Sequence, residues 1–265
     1  MVPTGVYWDR LQTTDDTMKL GRFSAIHAPT QRIYKRAVAV SAGPITSASL
    51  VLDLDAANYA AMPANGSTIA GTGAFAITTS NTNSSMEWAA TAGGIFRKTT
   101  ANDTDMLRFG PNYSSSSQAY TVMMVYRSQP GTAGRLLNAN TASPDWLMGL
   151  WGNSGGVQDI FFNGSFLGSS STAQTGAWRF AWMTSNGTTT TNAYAAGSTA
   201  PTGTHGTRAG VSGFNGLRLF GRFVSSVQNT EVVTADVGLV KVWDGALTLA
   251  EIQAQHATYA ARFGY

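Results

Sequence analysis

The sequence predicts an all-β sandwich of the jelly-roll type, closed by one short C-terminal helix and preceded by an extended N-terminal arm. Three observations predict it. Gly, Ser, Thr and Asn make up more than a third of the 265 residues, whereas there are only three Glu and four Lys, two of the types that helices favour. Short apolar runs with period-two alternation recur between clusters of turn residues. The hydrophobic share of 43%, with 12 Phe, 9 Tyr and 7 Trp, is enough for a large core and rules out chain-wide disorder.

Residues 1–48 form the arm. They carry six basic residues against three acidic ones, while the remainder carries eleven of each, so the whole net charge of +3 lies in the arm. Between 18 and 36 there are five basic residues and no acid, and Pro29 and Pro44 interrupt regular structure. Too few large apolar residues are present for independent folding, so the arm orders against a partner. Lys19, Arg22, Phe23, Arg32, Tyr34, Lys35 and Arg36 are its candidate partner-binding residues. The interspersed aromatic and aliphatic residues suit a protein groove; nucleic acid is the alternative partner of a basic arm.

The body spans 49–265. In SLVLDLD (49–55), Leu50, Leu52 and Leu54 are expected to face inward, opposite Val51, Asp53 and Asp55. Further strands are expected at 74–79, 94–99 and 105–110. AYTVMMVYR (119–127) is apolar on both faces and so should be central. Strands at 134–139, 145–152 and 157–162 follow, the last turning through Asn163-Gly164 into a hairpin. Residues 177–185 place Trp178, Phe180 and Trp182 on one face, and Asn186-Gly187 turns them into 188–196. Residues 197–216 read as a Gly-rich loop, before strands at 216–222 and 235–243. About a dozen strands at short, even spacing indicate a sandwich or jelly roll.

Thr248 and Glu251 form a capping box that starts a helix over 248–263. Leu249, Ile252, His256, Tyr259 and Phe263 recur at helical spacing and give it one apolar stripe, which docks on the sandwich.

LVLDLDAANYAAMP, YTVMMVYR, the FFNG turn, AWRFAWMTSNGTTTTNAYAAG, GLRLFG and the closing DVGLVKVWDGALTLAEIQAQHATYAARFG together resemble the concanavalin A-like lectin/glucanase (laminin-G-like) jelly roll. Most specific is Gly245-Ala246-Leu247-Thr248 running into Glu251-Ile252, similar to the family's turn and short helix after the last core strand. The resemblance covers 49–265 and excludes the arm. In composition the chain is similar to laminin-G-like modules of tailed-phage structural proteins, which are cysteine-free, rich in Ser, Thr and Gly, and often anchored by an N-terminal segment. That resemblance implies a virion structural protein: a capsid decoration or cement protein, or a tail or baseplate component, bound to other virion proteins and oligomeric, often trimeric. A carbohydrate-binding receptor module of a tail fibre, or a free lectin-like adhesin, is the alternative.

Enzyme activity is not expected. Glycoside hydrolases of this fold need two carboxylates about 5–5.5 Å apart for retention, carried as Glu-x-Asp-x-x-Glu or Glu-x-Asp-x-Glu. Here Glu87, Glu231 and Glu251 are far apart, and none has an Asp two residues on. Asp53 and Asp55 are the nearest carboxylate pair and read better as solvated or turn-binding residues. His27, His205 and His256 have no nucleophile elbow and no metal-ligand spacing. Zero cysteines exclude disulfides and thiolate sites. No cofactor is expected. Calcium is the alternative, with Asn102, Asp103 and Asp105 in one loop and Asp53 and Asp55 elsewhere as its oxygen donors.

A glycan would need an exposed aromatic beside amide or carboxylate groups. Trp151 with Asn153 is the first such candidate, Trp146 with Asp145 the second, and His205 in the Gly-rich loop a third contributor. Trp178, Trp182 and Trp243 read as core. No apolar run approaches the roughly 18 residues of a membrane span, and the first 20 residues lack a secretory pattern. With the resemblance to tailed-phage modules, the expected location is the virion, assembled in the host cytoplasm.

Overall fold

The computed structural model describes the body from Ile45 to Tyr265, apart from 46–47, 63–67, 70–76, 81–84, 102–105, 115–118, 130–131, 140–145, 154–155, 165, 170–175, 188–189, 197–199, 202–205, 210–213 and 224–228. Of the expected arm only Ile45 and Ala48 are among the described residues; all seven of its candidate binding residues lie outside them.

Strand β1 (Ser49–Asp55) runs into a 3-10 turn (Ala56–Asn58). It is followed by β2 (Thr68–Ile69), β3 (Ile77–Ser80), β4 (Met86–Ala89), a second 3-10 turn (Thr91–Gly93), β5 (Ile95–Lys98), β6 (Met106–Ser114), β7 (Tyr120–Ser128) and β8 (Gly134–Ala139). Next come β9 (Trp146–Asn153), β10 (Gly156–Asn163), β11 (Phe166–Ser169), β12 (Arg179–Ser185) and β13 (Thr190–Ala196). The chain closes with β14 (Gly206–Ala209), β15 (Asn215–Leu219), β16 (Arg222–Phe223), β17 (Asn229–Thr230), β18 (Ala235–Asp244) and helix α1 (Leu249–Phe263).

Two eight-stranded antiparallel sheets face each other. The first has the order β14-β13-β12-β7-β18-β5-β4, with β1 also pairing β18. The second has the order β11-β10-β9-β8-β15-β6-β3-β2, and β16 and β17 form a separate ribbon. Hairpins such as β8-β9-β10-β11 and β12-β13-β14 stay within one sheet, while the chain crosses between sheets at steps such as β5 to β6 and β7 to β8; the fold is the all-β jelly-roll sandwich that the sequence predicts.

Between the sheets, Tyr120, Val122, Met124 and Tyr126 of β7 meet Val240 and Val242 of β18, and Trp146, Met148 and Leu150 of β9 close from the opposite side. The alternate residues of the first sheet are apolar as well. Met123, Val125, Phe180, Trp182, Leu239 and Trp243 pack beneath Leu247, Ile252 and Phe263. Helix α1 therefore covers the outer face of that sheet, and this is why β7 is apolar on both faces. β7 lies between β12 and β18, in the centre of its sheet. Ile45 and Ala48 also pack against this second cluster.

The helix forms as its capping box dictates. Thr248 Oγ1 accepts from the Glu251 backbone N–H at 3.3 Å, and Glu251 Oε2 accepts from the Thr248 N–H at 2.9 Å. His256 is buried on the apolar stripe. The preceding turn is pinned by Thr121 of β7, whose hydroxyl donates to the Gly245 carbonyl and accepts from the Leu247 N–H, both at 2.9 Å. Close approach of helix to sheet is possible because position 238 is glycine: a Cβ there would lie 2.3 Å from two ring atoms of Phe263.

Two expectations need correction. Leu50 does not join Leu52 and Leu54 inside: it is 40% exposed, because the register of β1 on β18 shifts between Leu50 and Leu52. The expected Gly-rich loop at 197–216 contains β14, paired antiparallel to β13.

Candidate functional site

The first sheet carries a row of alternating charge on the face that α1 covers, just beyond the helix's C-terminal end. Antiparallel register sets Glu87 of β4 opposite Arg97 of β5, Arg97 opposite Asp236 of β18, and Asp236 opposite Arg127 of β7. Cross-strand neighbours sit about 4.5–5.5 Å apart at Cβ, so opposite charges placed there meet without strain.

The contacts follow the register. Asp236 is 6% exposed and is the acceptor at the centre of the row. Its Oδ1 takes the Arg97 Nε–H at 2.7 Å, and its Oδ2 takes Arg97 Nη2 at 3.3 Å and Arg127 Nε at 2.6 Å. Arg97 Nη1 reaches Glu87 Oε1 at 3.1 Å. The hydrogen bond to Asp236 raises the Arg97 pKa, against the opposing effect of its partial burial. Beyond Arg127, the guanidinium carbon lies 5.0 Å from the centre of the Trp178 ring, and that ring packs 4.7 Å from Phe263 of α1.

A pocket of about 400 Å3 opens over this row, with Thr99, Gln129 and Gly176 on its rim. Its walls are hydrogen-bonding groups of both signs. Chemically it can present donors from the arginines and acceptors from Glu87 and Gln129 to a polar ligand. None of Glu87, Arg97, Asp236 and Arg127 was a candidate in the sequence. The available signal was Asp236 itself, an acid inside the otherwise apolar start of β18.

The sequence candidates are dispersed. Trp146 is completely buried, donates its Nε1–H to Tyr120 Oη at 2.9 Å and packs against Phe214 at 4.9 Å. It is a core residue and is corrected as a ligand contact. Trp151, an odd number of residues further along β9, points to the outer face of the second sheet and is half-buried. It lies over Gly149, where a Cβ would come 2.3 Å from the Trp151 ring. Asn153 ends the same strand. The side chain of Asn153, Asp145 and His205 lie outside the described residues.

Asp53 and Asp55 are not a free pair. Asp53 Oδ2 accepts from Lys241 Nζ at 2.8 Å; Asp55 Oδ1 accepts from Arg262 Nη1 at 2.6 Å and from the Ala57 N–H at 2.9 Å. The turn-binding expectation holds for Asp55, while Asp53 is paired rather than solvated. Each carboxylate thus has one oxygen in an ion pair, and the other Asp53 oxygen, Oδ1, is buried without a hydrogen-bond partner among the described residues. Among the described residues no group of three acidic, His or Cys side chains is placed to hold a metal, and the loop of Asn102, Asp103 and Asp105 lies outside them.

No protein-family model matches the chain, and no curated protein matches it in sequence. Solved structures match in fold. The binding domain of Paraclostridial Mosquitocidal Protein 1 is 11% identical over 78% of this chain and 51% of that one, with a TM-score of 0.54. The botulinum neurotoxin serotype D binding domain is 12% identical over 80% and 52%, with a TM-score of 0.52. A Trypanosoma rangeli sialidase in complex with the inhibitor DANA is 12% identical over 79% and 33%, with a TM-score of 0.50. The chain thus spans about half the length of the toxin domains and a third of the sialidase. At these identities the likeness is one of fold, a β-sandwich shared by binding domains and an enzyme.

Proposed function

We propose that the chain is a non-enzymatic binding module displayed on a tailed-phage virion, docked through its N-terminal arm with the sandwich outward. The observation that carries the non-catalytic part is the state of the carboxylates. Asp53, Asp55 and Asp236 are each tied to a cation, Glu87 of the pocket pairs with Arg97, Glu231 pairs with Arg135 and Arg222, and Glu251 caps the helix. A glycosidase acid needs a carboxyl able to give up and retake a proton beside its substrate; these groups are structural acceptors. Two of the structural neighbours are binding domains, which supports a binding role through the fold alone.

The virion reading is supported by the cysteine-free, Thr- and Ser-rich composition and by the confinement of excess positive charge to 1–48. In it, Lys19, Arg22, Phe23, Arg32, Tyr34, Lys35 and Arg36 meet other virion proteins, copies of the chain associate with one another, and host surface glycan is the ligand when the module sits on the tail. Deletion of 1–37, which removes all seven of these residues and keeps Ile45 and Ala48 on the second cluster, tests it. Incorporation into particles should be lost while the truncated body stays folded; particles that incorporate the truncated protein at the normal level would contradict the arm's role.

A further inference from the structure

We propose that the pocket beside the C-terminal end of α1 binds a carboxylate-bearing saccharide, such as a hexuronic acid, and that Arg127 reads its carboxylate. Arg127 is held on two sides. Its Nε is committed to Asp236 at 2.6 Å, and its guanidinium carbon stands over the Trp178 ring, 5.0 Å from the ring centre. These contacts restrict how the guanidinium can turn, and both terminal nitrogens are without a hydrogen-bond partner among the described residues. An arginine in that state presents two parallel N–H groups, which match the two oxygens of a carboxylate.

Charge along the row favours the same end. Asp236 is shared by two arginines, so the group of three carries net positive charge. The compensating Glu87 stands at the far end, beyond Arg97, with its side chain 51% exposed. Both Asp236 oxygens already accept from arginine, so an incoming carboxylate is not in competition with an unsatisfied acid for the Arg127 fork.

The remainder of the pocket selects the rest of the ligand. Thr99 and Gln129 line it, both exposed; the Gln129 amide can donate to and accept from hydroxyl groups, and the Thr99 hydroxyl, which donates to the Ser85 carbonyl at 3.3 Å, can accept. An aliphatic acid would leave its chain against these polar walls, whereas a sugar acid fills them with hydroxyls. The volume of about 400 Å3 lies within the usual range for small-molecule sites. That the ligand is a saccharide rests on the binding-module reading above; that it bears a carboxylate rests on the Arg127 geometry.

The test is calorimetric titration of the full chain with glucuronate, glucose and acetate, repeated on Arg127→Lys and Gln129→Ala. Lysine keeps the charge and the pairing with Asp236 but lacks the fork, so that variant should fold. Glucuronate should bind at least about tenfold more tightly than glucose or acetate, with Arg127→Lys removing about tenfold and Gln129→Ala a smaller factor. Acetate binding as tightly as glucuronate would make this a simple anion site and overturn the saccharide. Glucuronate binding that is absent, no tighter than glucose, or unchanged in Arg127→Lys would overturn the site. Those failures leave the virion reading intact, because incorporation of the arm-deleted protein is read separately.

Discussion

Arg262, near the end of the last element, holds Asp55, at the end of the first strand, with Nη1 and Oδ1 2.6 Å apart. The same guanidinium donates to the Ala92 carbonyl at 2.7 Å and the Gly94 carbonyl at 2.8 Å. One side chain of α1 thereby ties the chain's C-terminal helix to the β1 exit and to the turn before β5. Removing it leaves the Asp55 carboxylate without its cation and two carbonyls without their donor. Arg262→Ala should therefore cost about 2–4 kcal/mol, read as a lower urea midpoint at unchanged slope.

Asp236 should be more sensitive than any single arginine of its row. Asp236→Asn keeps the shape but leaves Arg97 and Arg127 facing one another without a shared anion. A loss of about 3 kcal/mol is expected, together with weaker packing of Trp178 visible as a red shift of tryptophan fluorescence. A substitution with no effect on stability would show that the row is screened by solvent.

The helix cap offers a local test. Thr248→Ala removes the acceptor for the Glu251 N–H and should cost about 1 kcal/mol in thermal or urea unfolding. Gly238→Ala should cost more, about 1–3 kcal/mol, since its Cβ would overlap the Phe263 ring and lift the helix end from β18.

Alkaline pH should unfold the protein through its buried phenols. Burial raises the pKa of Tyr265, with the neighbouring Tyr259 adding to the effect, and burial likewise raises Tyr259 and Tyr59. A folded-state pKa above the unfolded value of 10.0 means the unfolded chain loses these protons first. Stability is then fully present below about pH 10 and falls as pH rises toward the folded-state values. Tyrosinate absorbance should rise for these groups only with unfolding, and Tyr265→Phe should flatten the alkaline decline.

Much of the sandwich is legible in the sequence, for reasons the packing makes plain. β7 reads as central because both its faces are apolar, and both are buried, one by the opposite sheet and one by α1. The helix is legible from Thr248 and Glu251, whose spacing is the cap itself. Leu50 misleads because a bulge, invisible in the alternation, reverses its face. Gly206–Ala209 misleads because a strand of Gly, Thr, Arg and Ala shows no apolar alternation. Trp146 and Trp151 are five residues apart on one strand, so they must point to opposite faces, and parity alone disqualifies one of them. The charged row is not legible: Glu87, Arg97, Arg127 and Asp236 come from four strands, and only the register of β4, β5, β18 and β7 brings them together.

The central claim, a binding module carried on a phage particle, is tested most directly by immunogold electron microscopy of purified particles with antibody against residues 49–265. The account predicts label on intact particles, either over the head or confined to the tail. Absence of label from every particle, with antibody that recognises the free protein, would contradict it.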